Sequence, residues 1–279
     1  MKKKTLAKVI SQQCLQPGIY DLWVETDLAR EAGPGQFVGI YTRDASKLLP
    51  RPISICQVRT SDNEGIDGLK VDALRMVYRV SSETAGTADI AKLVEGDSVY
   101  ILGILGNGYD YKQFTGKNVV LMGGGIGIPP MLELARNIKK QMDESGAGTM
   151  NIVLGYRDSQ MFLKSDFEAL ENDNIKLLIA TEDGSVGTKG NVINACNDNN
   201  INAEVVCACG PMPMLRAIVG WAKDKDAKAY ISLEERMACG VGACLGCITK
   251  TKDVDSHSHV NNTRICTDGP VFDAEILDI

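Results

Sequence analysis

Residues 237–250, MACGVGACLGCITK, put Cys239, Cys244 and Cys247 in one loop with Gly240, Gly242 and Gly246 among them. Cys266 follows after eighteen intervening residues. Thiolates spaced C-x4-C-x2-C with a distant fourth suit a plant-type [2Fe–2S] centre, in which four sulfurs hold two irons. The glycines serve that chemistry. Lacking side chains, they let backbone N–H groups approach sulfur and accept positive φ. Such donors offset the negative charge of a cluster and tune its potential. A structural zinc site is the alternative, but it usually pairs two short knuckles, and here three candidate ligands share one loop. A Rieske centre needs two histidine ligands. The only histidines, His257 and His259, fall in the polar stretch KDVDSHSHVNN, which reads as an exposed turn.

A second constellation is KNVVLMGGGIGIPPMLELAR, which reads as a buried strand, a glycine loop and a helix start. Gly123, Gly124, Gly125 and Gly127 allow a tight turn and a close approach of backbone to a diphosphate, and the helix N-terminus offers free N–H groups to the anion. Pro129 and Pro130 fit a first helical turn, where no N–H is missed. The match to a dinucleotide fingerprint is imperfect, because proline replaces the last small residue and no acidic residue ends a strand about 20 residues on. The next strand ends at GYRD, which would bring Tyr156, Arg157 and Asp158 near a ribose. Arg157 would favour a 2′-phosphate and Asp158 would disfavour one; Asp158 could also be a plain helix N-cap.

Two more segments belong to the same edge. CACGPMPML ends a strand and opens a helix, so Cys209, Gly210 and Pro211 would sit where open α/β sheets bind ligands. Cys207 reads as core, and Cys209 as either core or nicotinamide-facing. TEDGSVGTKG follows another strand and would rim that edge, unless it is simply a glycine-rich loop. In LLPRPISIC, Arg51 could fork onto a diphosphate and Ser54 could bond to a polar ring edge.

The elements that must position these residues fall into three regions. Residues 1–113 show short alternating segments, such as LRMVYRV with Leu74, Met76, Tyr78 and Val80 on one face, separated by turns at EAGPG and EGD. With no convincing helix, they suggest a small antiparallel β-barrel. Residues 114–229 alternate apolar strands with helices, as in a parallel sheet covered on both faces. The short helix SDFEALEN takes Ser165 as its N-cap. Residues 230–279 form a small irregular domain rich in Cys and Gly. The net charge of −6 argues against nucleic acid, and no apolar run reaches membrane-spanning length. MKKKTLAKVISQQC lacks a signal-peptide core. Nine cysteines without an export signal suggest a cytoplasmic, metal-binding chain rather than disulfides.

Taken in order, R-P-x-S, then G-G-G-x-G-x-P-P, then C-G-P, then C-x4-C-x2-C with a distant cysteine resemble the ferredoxin–NADP reductase superfamily. More closely, EERMACGVGACLGC with RICTDGPVFDAEIL resembles the iron–sulfur, flavin electron-transfer subunits of NAD-dependent type 1B dihydroorotate dehydrogenases. The resemblance covers essentially the whole chain. It implies FAD on Arg51, Pro52, Ile53 and Ser54, on Val77, Tyr78 and Arg79, and on Gly86 and Thr87. It implies the cluster on Cys239, Cys244, Cys247 and Cys266, and NAD on the second domain. It further implies a partner subunit that carries FMN and oxidises dihydroorotate, in a hetero-oligomer, and no general base in this chain. Two departures stand out. YRVSSETAG is longer than the usual turn before Gly86, and Ile104 stands where the family usually has proline. Related ferredoxin–NADP transhydrogenase subunits commonly begin the ligand set with aspartate, so Cys239 favours the dihydroorotate reading. Beside these stands a zinc-stabilised nucleotide-binding regulator without redox activity. Val271, Phe272 and Ile276, near the last ligand, are expected in the core or at an interface.

Overall fold

The computed structural model describes residues 2–62, 71–256 and 259–279. The first region is a curled antiparallel sheet. Its strands are β1 (Lys3–Gln16), β2 (Ile19–Glu25), β3 (Phe37–Ile40), β4 (Arg51–Ser54), β5 (Gln57–Arg59) and β6 (Ala73–Arg79). The one-turn helix α1 (Gly86–Ile90), unforeseen in the sequence, and β7 (Ser98–Leu105) complete it. The order is β4-β3-β7-β1-β2-β6-β5. Its two edges, β4 and β5, are consecutive in the chain. Ile55 N–H donates to Gln36 on the β3 side and Cys56 N–H to Arg75 on the β6 side, so one bent segment joins both edges. β1 pairs β7 through its first half and β2 through its second, with register shifts that let it bend. Leu74, Met76 and Tyr78 point inward as the alternation requires, and Val80 packs on the same core.

The second region holds β8 (Asn118–Gly124), α2 (Pro129–Ser145), β9 (Thr149–Tyr156), α3 (Lys164–Glu168) and β10 (Ile175–Thr181). It continues with β11 (Thr188–Lys189), α4 (Val192–Asp198), β12 (Val205–Cys209), α5 (Met212–Asp224) and β13 (Lys228–Ser232). The helix α2 buries Met131, Leu134, Ala135 and Ile138, the stripe of an amphipathic helix. It begins at Pro129 and ends on Gly146 at φ 68°, whose N–H caps Met142. α3 starts one residue before Ser165, at a left-handed Leu163 with no side-chain cap, so the expected Ser165 cap is absent. The burial of Phe162, Leu163 and Phe167 sets its start instead. α4 was not visible in the apolar pattern; an Asn191–Asn194 capping box holds it.

The last region adds the hairpin β14 (Ile248–Lys250) and β15 (Asn262–Arg264), and then β16 (Val271–Asp273). β16 pairs antiparallel with β13, so the second sheet runs β11-β10-β9-β8-β12-β13-β16. The boundary expected at 229–230 falls inside β13. Val271 and Phe272 are buried and Ile276 is exposed. His259 is exposed, and His257 lies outside the described residues. Among the described residues no helix is long and apolar enough to cross a membrane.

A buried polar joint locks the barrel to the α/β sheet. The outer face of β6 offers Arg75, whose Nε and Nη2 reach the Asp21 carboxylate at 2.8–3.1 Å and whose Nη1 pairs with Asp166 of α3. Burial opposes this charge, but Asp21 and Asp166 hold the guanidinium protonated. Beside it, Glu133 of α2 accepts the Val58 N–H of β5 at 2.9 Å. Removing Arg75 would strand a buried carboxylate, because Asp21 is 6% exposed. The expected outcome for Arg75→Met is a loss of about 3–5 kcal/mol in urea unfolding. A loss below about 1 kcal/mol, the range of exposed pairs, would contradict this account of the joint.

Candidate functional site

A cavity of about 520 Å³ lies where the three regions meet. The barrel contributes Pro52, Ile53 and Ser54 from β4, Val77, Tyr78 and Arg79 from β6, and Thr87 from α1. Arg51 and Gly86 stand beside it, against each other. A Cβ on Gly86 would fall 1.9 Å from Arg51 Nε, so only glycine lets the guanidinium lie over the start of α1. Ser81, within the long YRVSSETAG segment, also lines the cavity. Burial raises the Tyr78 phenol, whose oxygen accepts the Gln12 Nε2–H at 2.7 Å, so this residue supplies a ring rather than an acid. Ile104 is buried in the barrel core and is not among the lining residues.

The sequence reading missed half of the wall. Leu233 to Met237, leaving β13, and Pro270, entering β16, close the cavity opposite the barrel. The signal was present in EERM, separated from Cys239 only by Ala238. Cys209 is fully buried with its thiol facing Glu234 Oε1 at 4.0 Å. It is therefore a core residue, and its partner lines the cavity. Burial raises both groups, more than Arg79 lowers Glu234.

A second cavity, about 650 Å³, opens at the carboxyl edge of the sheet. Gly124, Gly125, Tyr156, Arg157, Asp158 and Pro211 line it together with Glu182 and Gly190 from the TEDGSVGTKG segment. Glu182 was not singled out from the sequence. Asp158 is no helix cap; its Oδ1 accepts the Gln160 N–H at 2.8 Å within its own turn. The four glycines divide their work. Gly123 and Gly124 end β8, and Gly125 turns at φ 54° with Arg79 Nη2 above it, 3.6 Å from where a Cβ would stand. Gly123 and Gly127 do not line the cavity. Gly127 instead lets the loop touch β12, since its Cβ would fall 2.4 Å from the Cys209 carbonyl. Cys209 and Gly210 likewise shape the edge without lining the space. Arg79 lines both cavities, so the two spaces adjoin at this residue.

The four cysteines stand as two pairs. Cys239 lies with Cys244, and Cys247 with Cys266. A single tetrahedral zinc takes all four sulfurs on one ion, whereas a two-iron cluster takes two thiolates on each iron. Gly240 and Gly242 turn at φ 68° and 82°. They aim the loop backbone at sulfur. Burial pushes the Cys239 thiol up, but the N–H groups of Val241, Cys244 and Ala243 and the neighbouring Cys244 thiol bring it down to about 6. Burial and Cys247 push Cys266 up to about 11, against the Gly242 N–H. Cys247 and Cys266 are buried in an apolar core shared with Phe37 and Leu105 of the barrel. A loop that presents four thiols in two pairs with amides directed at them fits a two-iron cluster.

The glycine loop yields a direct test. Gly127→Ala must push backbone against backbone, and a clash of that kind costs about 1–3 kcal/mol. Thermal unfolding should show a lowered midpoint and reduced nucleotide affinity together; an unchanged midpoint would mean that the loop does not rest on β12.

Comparison with known proteins agrees with this geometry. Residues 234–278 match the iron–sulfur cluster binding domain of dihydroorotate dehydrogenase B, and residues 121–220 match the oxidoreductase NAD-binding domain. The chain is 37% identical over 275 residues to the "Dihydroorotate dehydrogenase B (NAD(+)), electron transfer subunit" of Lysinibacillus sphaericus (strain C3-41), covering 98% of this chain and 97% of that protein. The protein of that name from Streptococcus pneumoniae (strain ATCC BAA-255 / R6) is 35% identical over 267 residues, covering 95% and 94%. Among solved structures, the NADH-dependent reduced ferredoxin-NADP oxidoreductase shares the fold with a TM-score of 0.78 at 24% identity, covering 100% of this chain and 91% of that one. A ferredoxin NADP+ reductase from Neisseria gonorrhoeae follows at 0.65 and 17% identity, covering 84% and 94%. Alignment with the curated relatives along nearly the full length shows that the chain belongs to the family of dihydroorotate dehydrogenase B (NAD(+)) electron transfer subunits.

Proposed function

We propose that this chain relays electrons between an FMN-bearing dihydroorotate dehydrogenase subunit and NAD, using a [2Fe–2S] cluster and FAD of its own. The observation that carries the reading is the junction of three regions at one cavity, with the nucleotide cavity on one side of Arg79 and the cysteine loop attached through Met237 and Pro270. Bound there, the cluster supplies one-electron transfer, the flavin one- or two-electron transfer and the nicotinamide hydride transfer. The side chains bind and orient. Arg51 presents a forked donor toward a diphosphate over Gly86, and Ser54 offers a hydroxyl to a polar ring edge. Tyr78 and Ile53 give the cavity apolar lining. Gly124 and Gly125 offer backbone to a phosphate, with Arg157, Asp158 and Glu182 in the same cavity for a ribose. The start of α2 contributes no N–H there, because Pro129 and Pro130 have none and the N–H groups of Ile128 and Met131 are bonded to the Gly125 and Ile128 carbonyls. Cys239, Cys244, Cys247 and Cys266 would hold the cluster. The cytoplasm suits a chain whose nine cysteines are all unbridged.

Arg51→Ala should remove a charged hydrogen bond of about 1.5–3 kcal/mol, about tenfold or more in flavin affinity. Gly86→Ala should mimic it by displacing the guanidinium. Flavin retained after dialysis measures both, and full occupancy in each variant would contradict the assignment.

The partner reading is tested by reconstitution. The chain alone should oxidise NADH with artificial acceptors and leave dihydroorotate untouched. Added FMN-bearing catalytic subunit should confer NAD⁺ reduction by dihydroorotate, and Cys244→Ser should lose most iron and that rate while keeping NADH oxidation. Equal coupled rates with and without the cluster would refute the relay. No coupled rate with any such partner would favour a transhydrogenase-like role.

A further inference from the structure

Arg264 and Asp268 bracket the last candidate ligand, Cys266. The β14–β15 ladder sets Arg264 opposite Ile248, the residue after Cys247, and Ile265 N–H donates to the Cys247 carbonyl at 2.8 Å. The Asp268 carboxylate accepts the Arg264 N–H at 2.9 Å, its Nε at 3.1 Å and the Thr263 hydroxyl at 3.0 Å. The N–H groups of Thr267, Asp268 and Gly269 converge on the Arg264 carbonyl. From the barrel, Asn107 Nδ2 donates to the Thr267 and Asp268 carbonyls at 3.1 and 3.2 Å. The backbone thus fixes the Asp268 carboxylate, which in turn holds the Arg264 guanidinium. The guanidinium also leans over the cysteine loop, since a Cβ on Gly242 would lie 3.7 Å from Arg264 Nη1.

Stability does not account for this pair. Its side chains are 44% and 36% exposed, and exposed pairs contribute about 0.2–1 kcal/mol. Its field on the neighbouring sulfurs is a different matter. A cluster gains negative charge on reduction, so a fixed cation nearby favours the reduced state and a fixed anion opposes it.

We propose that Arg264 and Asp268 form an opposed charge pair that sets the reduction potential of the cluster, Arg264 raising it and Asp268 lowering it. This rests on the reading of the four cysteines as [2Fe–2S] ligands. The test is an anaerobic redox titration of the iron-loaded full chain, followed by the EPR signal of the reduced cluster with iron content measured in parallel. R264Q should reduce the ratio of reduced to oxidised cluster about threefold or more at fixed ambient potential, a downward shift of about 30 mV at 59 mV per tenfold. R264K should keep the wild-type potential, D268N should shift it upward, and the double variant should return toward wild type. A merely structural role would change iron content without moving the potential of the clusters that remain. R264Q with its signal intact and its potential unmoved or raised overturns the proposal, and does so alone if D268N loses iron. A wild-type chain without a cluster signal overturns the ligand reading itself, and this proposal with it.

Discussion

The cysteine segment starts and ends on one sheet edge. It leaves β13 at Leu233 and comes back as β16, whose Phe272 pairs with Ile231 and whose Val271 pairs with Ser232. Asn107, at the end of the barrel's last strand, seizes the returning chain: its N–H donates to the Gly269 carbonyl at 2.6 Å, and its side chain holds Thr267 and Asp268. A loop with both ends held by backbone bonds cannot drift from the sheet or the barrel. The two chain ends that flank the cysteines therefore form the wall of the central cavity. Electron transfer depends on separation, and this topology keeps the cysteine loop a few residues from the central cavity without a linker.

The apolar cores repeat the same logic. One core fills the barrel. A second joins the barrel's outer face, through Ile19, Cys56 and Val77, to α2 and the sheet. A third runs from the other sheet face, through Ile218 and Trp221 of α5, to Cys247, Cys266 and the barrel's Phe37. Among the described residues, two of these cores are shared between regions, so the domains are bound by continuous packing. The Arg75–Asp21–Asp166 cluster adds orientation to it, because a buried charge tolerates only a narrow set of partner positions. Arg79, at the end of the same strand, lines both cavities.

Much of this was legible in the chain. Features that depend on local spacing were readable: the Pro129–Pro130 helix start and the inward face of Leu74, Met76 and Tyr78. What was hidden depends on contacts distant in sequence. Gly127 reads as a phosphate-loop glycine, yet its reason is the Cys209 backbone against it. Glu182, Leu233 and Pro270 reach the cavities through sheet order, which no local pattern encodes. The return of β16 to β13 is a three-residue pairing, too short for periodicity to reveal. The Ser165 cap failed because buried aromatic packing overrode a local capping preference.

The central claim is that nucleotide cavity, flavin cavity and cysteine loop form one continuous redox unit within this single chain. Anaerobic titration of the isolated, cofactor-loaded chain with NADH tests it most directly. Bleaching of the flavin absorbance should be accompanied by the EPR signal of the reduced cluster, with no partner subunit present. A chain whose flavin bleaches with NADH while its cluster responds only to dithionite would contradict the account.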